Sequence, residues 1–165
     1  MMRLIGLLKG WPGKPSHPPL TDASIGAYTV GVAMLVLGAL GLQEGPMAHG
    51  SLLAIGGGLA LALPTALTGL LDWLDLPKGT PVRTVATVHL FTMLTATVLF
   101  AVAFVGQIDG YDHGHIQTLA LVFGLAAEAL LVAGGFLGGT IVFVYGNRVL
   151  KEPDTPVRDA LRPPI

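Results

Sequence analysis

The chain has 165 residues, 52% of them hydrophobic and 12% charged, with a formal net charge of −1 and a mean hydropathy of +0.71. A water-soluble domain carries about 25% charged residues, so this chain lacks the polar surface for a fold in water and reads as one membrane domain. It has no Cys, which excludes disulfides, thiolate metal sites, covalently attached haem and Cys nucleophiles, and its scattered basic residues form no patch for nucleic acid.

Residues 1–20 form a lead-in. Leu4, Ile5, Leu7, Leu8 and Trp11 with Arg3 and Lys9 suit a short interfacial helix. Their apolar core is too short for a signal peptide, and no small-x-small cleavage site follows. Four prolines between Trp11 and Leu20 predict irregular chain. Asp22 or Ser24 can cap a first span over about residues 23–42. A short loop then leads to a second span, about 51–71. Pro64 inside it removes one helix hydrogen bond and predicts a kink. Residues 72–83 form a hairpin, a third span covers about 84–106, a second loop covers 107–117, and a fourth span covers about 118–144. The tail from 147 to 165 is polar, contains four prolines and is predicted to be extended.

Each span has about 20 or more apolar residues, enough to cross roughly 30 Å of hydrocarbon. Short connections make successive spans antiparallel neighbours, so the expected fold is all-α, a four-helix membrane bundle over 21–146. The nine Lys and Arg are Arg3, Lys9, Lys14, Lys78, Arg83, Arg148, Lys151, Arg158 and Arg162. All fall in segments on one side of that bundle. The positive-inside rule then predicts both ends in the cytoplasm, and Trp11, Trp73 and Tyr145 sit at the same interface.

Polar residues within the spans are the candidates for chemistry, because lipid penalises them. His89 lies near the start of the third span, and an imidazole there can ligate haem iron, relay a proton or bond a neighbouring helix. Asp72 ends the second span. It can orient His89 from behind, as carboxylates do at metal sites, or pair with Arg83 or Lys78. Glu128 falls mid-span in the fourth helix, where a carboxyl group either relays protons or ions or bonds a facing Thr, Ser or carbonyl. In the second outer loop Asp109, Asp112, His113 and His115 are spaced closely enough to bind zinc or copper, or they are simply solvated. Gly134, Gly135, Gly138 and Gly139 form overlapping small-xxx-small pairs, which pack helices or leave room for a planar cofactor.

Several strings resemble a known family: His17-Pro18 with Ser24-Ile25-Gly26, Gly69 to Trp73 with Gly79 to Arg83 and then His89, and Gly134 to Gly139 ending near Tyr145-Gly146. Together, over about residues 16–150, the chain resembles the four-helix bacterial membrane proteins called domain of unknown function 2231. The resemblance implies a bacterial inner-membrane location and no settled activity. Fusion of some relatives to Rieske-type or cytochrome modules implies membrane redox chemistry. Relatives often close the fourth span with His-Gly where this chain has Tyr145-Gly146. In a haem site of that kind Tyr145, or His17 folded inward, would stand opposite His89.

Three functions follow as expectations. One is a non-catalytic accessory or scaffold subunit, packed against other membrane subunits or its own copies. The second is a redox protein that binds b-type haem or anchors an electron carrier near the cytoplasmic face. The third is a small proton or ion transporter using Glu128 and His89.

Overall fold

A computed structural model describes residues 8–11 and 13–162. Most of the expected interfacial helix, including Arg3, Leu4, Ile5 and Leu7, lies outside the described residues. The chain forms β1 (Gly10–Trp11), β2 (Lys14–Pro15), α1 (His17–Ala39), α2 (Glu44–Asp75), α3 (Pro81–His113), α4 (Thr118–Gly139) and a short α5 (Val157–Ala160). A π-helical turn, Thr140–Val144, continues α4. Four of these segments, counting α4 with its π turn, are long and apolar enough to cross a membrane.

The helix bounds depart from the hydropathy limits, for local reasons. α1 starts at His17 rather than near residue 23, because Pro18 and Pro19 sit in its first turn, where no helical N–H is needed. α3 starts at Pro81 for the same reason, with Thr80 Oγ1 accepting from Arg83 N at 3.4 Å. α2 and α3 have 32 and 33 residues, more than a bilayer needs, since a helix need not end where hydrocarbon ends. Asp109, Asp112 and His113 therefore lie in the last turns of α3 rather than in a loop, and Gly114 (φ 70°) closes that helix. Pro64 lies inside an unbroken α2, where Thr65 and Thr68 donate back to Leu61 O (2.7 Å) and Pro64 O (2.9 Å). Between 147 and 162 the tail is not wholly extended, since it holds α5.

α1 packs chiefly on α2 and α3 chiefly on α4, while the α2–α3 and α1–α4 seams close the bundle. At its centre Tyr28 stacks on Phe100, ring centroids 3.8 Å apart and planes within 2°. Leu35, Ile55, Ala127 and Leu131 complete the core. Large apolar side chains such as Leu63, Phe91, Val98 and Phe136 point outward, as lipid requires. Because lipid is as apolar as leucine, close van der Waals contact must hold the helices together.

The two hairpins repeat one another. Adding 72 to the buried α1 positions Ser24, Tyr28, Gly31, Leu35 and Gly38 gives Ala96, Phe100, Ala103, Gln107 and Gly110, all buried in α3. Adding 69 to Ser51, Ile55, Gly58, Ala62 and Thr65 gives Ala120, Gly124, Ala127, Leu131 and Gly134, all buried in α4. The bundle is thus two copies of one helical hairpin, each presenting the same face inward, and Tyr28 meets its counterpart Phe100.

Arg83 seals the α2–α3 hairpin. Its Nη1 donates to Trp73 O (2.8 Å) and Leu76 O (2.7 Å), and its guanidinium lies 3.8 Å from the Trp73 ring centroid. A cation at these last carbonyls caps α2 and opposes its dipole. Arg83→Ala should cost about 1–3 kcal/mol, the usual worth of hydrogen bonds from a charged donor. Melting in detergent checks this, and Arg83→Lys should restore only part of the loss, because an ammonium lacks the planar fork.

Candidate functional site

A cavity of about 750 Å³ opens between the hairpins at the end of the bundle that carries the basic residues. That size suits a small-molecule or cofactor site. His17 and His89 both line it, as do Asp72, Arg148 and Gly135.

The two histidines are held alike. His17 Nδ1 lies 2.9 Å from Thr65 O, and His89 Nδ1 lies 2.9 Å from Gly134 O. A carbonyl only accepts, so each Nδ1 carries a proton, and in the neutral ring that an apolar bundle favours each Nε2 keeps a lone pair. The carbonyls can take this second bond because each has two lone pairs. In both hairpins the residue four positions after the carbonyl is glycine. A methyl on Gly69 would sit 2.6 Å from His17 Cε1, and one on Gly138 would sit 3.2 Å from His89 Cε1. Each ring reaches its carbonyl across a helix surface bared by glycine. His89 is His17 plus 72, Gly134 is Thr65 plus 69, and Gly138 is Gly69 plus 69, so the two ring sites are themselves repeats.

Hydrogen bonding of His89 among the described residues is confined to Nδ1. His17 Nε2 has only a 3.5 Å approach from Thr21 Oγ1, whose proton already goes to His17 O at 2.9 Å. The site therefore offers two neutral imidazoles with unspent Nε2 atoms. The π turn widens the last turn of α4, and its Ile141, Val142 and Phe143 line the cavity. A β-carbon on Gly135 would touch nothing within 4 Å, so that wall stays open. Tyr28 closes the deep end, its hydroxyl buried and without a hydrogen-bond partner among the described residues.

Both chain ends cover the mouth. Arg148 Nη2 donates to Lys9 O (2.6 Å) and Gly10 O (3.2 Å), and Gly13 N donates to Arg148 O (2.8 Å). Asp72 Oδ1 lies 3.4 Å from Arg148 Nε and 4.0 Å from Lys9 Nζ, and Lys9 also pairs with Asp75. The partners of Asp72 thus come from the termini rather than from Arg83 or Lys78. Arg83 is committed to the end of α2, and no bond joins Asp72 to His89 among the described residues.

The other expected positions lie elsewhere. Tyr145 is 42% exposed and does not line the cavity. Glu128 accepts from Thr29 Oγ1 at 2.9 Å, a facing threonine, and its Oε2 is buried without a hydrogen-bond partner among the described residues. Asp109, Asp112, His113 and His115 sit at the opposite end of the bundle. His113 Nδ1 donates to Asp109 O (3.0 Å), and His115 Nε2 lies 2.9 Å from Gln117 Nε2. Among the described residues no group of three or more His, Asp or Glu is placed to hold a metal ion. The buried Gln107 bonds His115 O (3.0 Å) and Gln117 N (3.1 Å), which fixes the turn between α3 and α4. Residue types alone do not reveal the backbone carbonyls, Gly69 or Arg148 as parts of the site. The 72- and 69-residue offsets carry that signal for the carbonyls and Gly69, while Arg148 lies outside the repeat.

The family model described as "Predicted membrane protein (DUF2231)" matches residues 13–151. The chain belongs to this family. No curated protein and no solved structure matches it. The matched stretch includes both histidines and Arg148, and its description assigns no activity.

If the glycines serve the ring sites, Gly→Ala should have opposite signs at different places. Gly57 faces open space, so Gly57→Ala should stabilise by up to about 1 kcal/mol through helix propensity. Gly69→Ala should instead destabilise by about 1–3 kcal/mol, as overpacking does. Parallel melts of the two variants read the signs directly.

Proposed function

We propose that this protein is a membrane haem protein, with a b-type haem bound in the cavity between His17 and His89. The observation that carries this reading is the pair of repeated imidazoles, each with Nδ1–H spent on a carbonyl and Nε2 left for iron. Such a bond behind the ring is what fixes tautomer and orientation in metal-ligating histidines. The absence of Cys agrees with non-covalent attachment.

The residues present fit the group. The cavity volume is sufficient, Gly135 leaves a flat wall, and most of the lining is apolar. A haem held by His17 and His89 would supply one-electron transfer. The protein's part is to aim two rings, exclude water and set the charge near the mouth, which tunes the potential. Positive-inside orientation supports a location in the bacterial cytoplasmic membrane with both termini and the mouth inside. A passive accessory subunit has no need of the paired imidazoles, and for a transporter Glu128 lies outside the cavity.

Expression with ample haem should yield coloured protein with a low-spin Soret and α-band spectrum. His17→Ala and His89→Ala should each abolish the low-spin form, and Tyr145→Phe should leave it intact. Exogenous imidazole should restore it in a His89→Gly variant. A colourless protein that takes up no added haem, or a spectrum indifferent to both histidines, overturns the proposal.

A further inference from the structure

The repeat holds at the rings and fails at the mouth. Asp72 plus 69 is Ile141, so the carboxylate has an apolar counterpart. The charged side chains lining the cavity are Lys14, Asp22, Asp72 and Arg148. They lie toward the basic end, so the wall is polar at one edge and largely apolar beyond it.

Two atoms at that edge are orphans. Asp72 Oδ1 and Arg148 Nε are 3.4 Å apart as an ion pair, yet both are shielded from solvent and neither makes a hydrogen bond among the described residues. Their side chains are only 11% and 20% exposed. Buried polar atoms normally find partners, and each exception calls for a reason. Arg148 is also one of two non-glycine residues with positive φ among the described residues, at 63°, a conformation that L side chains seldom adopt. It is held there by the bonds from Nη2 to Lys9 O and Gly10 O and from Gly13 N to its own carbonyl. The chain thus bears local strain to hold one guanidinium between Asp72 and the N-terminal strands.

We propose that Arg148 and Asp72 form a subsite for a carboxyl group on the edge of an otherwise apolar ligand. Arg148 Nε donates to one carboxyl oxygen, and Asp72 Oδ1 accepts from the acid form of the other. Lys14 adds a second cation for a second carboxylate. On the haem reading, from which the proposal takes its ligand, these groups are the porphyrin propionates. The two histidines then hold the ring, and Arg148 decides which edge faces the mouth.

Metal-free protoporphyrin tests this apart from iron ligation. Purified full-length protein in non-ionic detergent is titrated with the diacid and with its dimethyl ester, followed by porphyrin fluorescence anisotropy. The diacid should bind about tenfold or more tighter than the ester, as expected for a charge-assisted bond. Arg148→Met should bring the ratio near one by weakening the acid alone, and Arg148→Lys should keep part of it. Where Arg148→Met fails to fold, Arg148→Lys carries the test and must lower the ratio while melting like the parent. His89→Ala should lose the low-spin haem spectrum and leave the ratio unchanged, whereas a parent protein that takes up no haem yet keeps the ratio removes the haem reading and keeps the subsite. Equal affinity for acid and ester, binding of neither, or a ratio indifferent to Arg148 overturns the subsite. Displacement by equimolar oleate overturns its assignment to a porphyrin.

Discussion

Lipid offers no hydrogen bonds, and this constraint shapes every polar residue in the spans. Several hydroxyls meet it in one way. Ser24, Thr65, Thr92, Thr97 and Thr140 each donate to the carbonyl four residues before them. An imidazole cannot be satisfied so simply, because it has two nitrogens and a neutral ring has one proton. His17 and His89 both give that proton to a carbonyl on the neighbouring helix. What remains is a pair of basic nitrogens in an apolar bundle, which is costly unless something uses them.

The internal repeat explains how two such nitrogens come to share one cavity. Each hairpin presents a histidine on its first helix and a carbonyl with a following glycine on its second. Bringing like faces together sets the two rings on one cavity and stacks Tyr28 on Phe100. Elements that obey the repeat suit a group with two equivalent faces, such as a planar ring held on both sides. Elements that break it, Asp72 and Arg148 at the mouth and the Tyr28 hydroxyl at the deep end, distinguish one edge from the other.

Much of the architecture is legible in the sequence, because hydropathy and one-sided cations report directly on a bilayer. Helix limits are less so, since prolines that look like loop signals at 18, 19 and 81 are tolerated in first turns. His89 and Asp72 stand out as polar residues in apolar spans. His17 does not, because it sits in a Pro-rich stretch that reads as irregular, and only the family likeness draws attention to it. The repeat escapes inspection because it survives in burial rather than identity. Ser24 corresponds to Ala96, Tyr28 to Phe100 and Leu35 to Gln107. Tyr145 is the reverse case, a family position just after the π turn whose residue does not line the cavity.

The seams between hairpins are less extensive than those within them, and of the four seams α1–α4 is the smallest. Within each hairpin a histidine already ties its two helices together through a carbonyl. In the haem reading, iron bonded to one ring from each hairpin would join the halves where their own packing is sparsest. Ligand binding and assembly of the bundle would then be one equilibrium, because anything that binds only the closed form stabilises it. The same logic covers the mouth, where Arg148 links the N-terminal strands to the chain leaving α4. A carboxyl group bonded there would be tied to both termini at once, so the segments that cover the cavity would be fixed by the group they enclose.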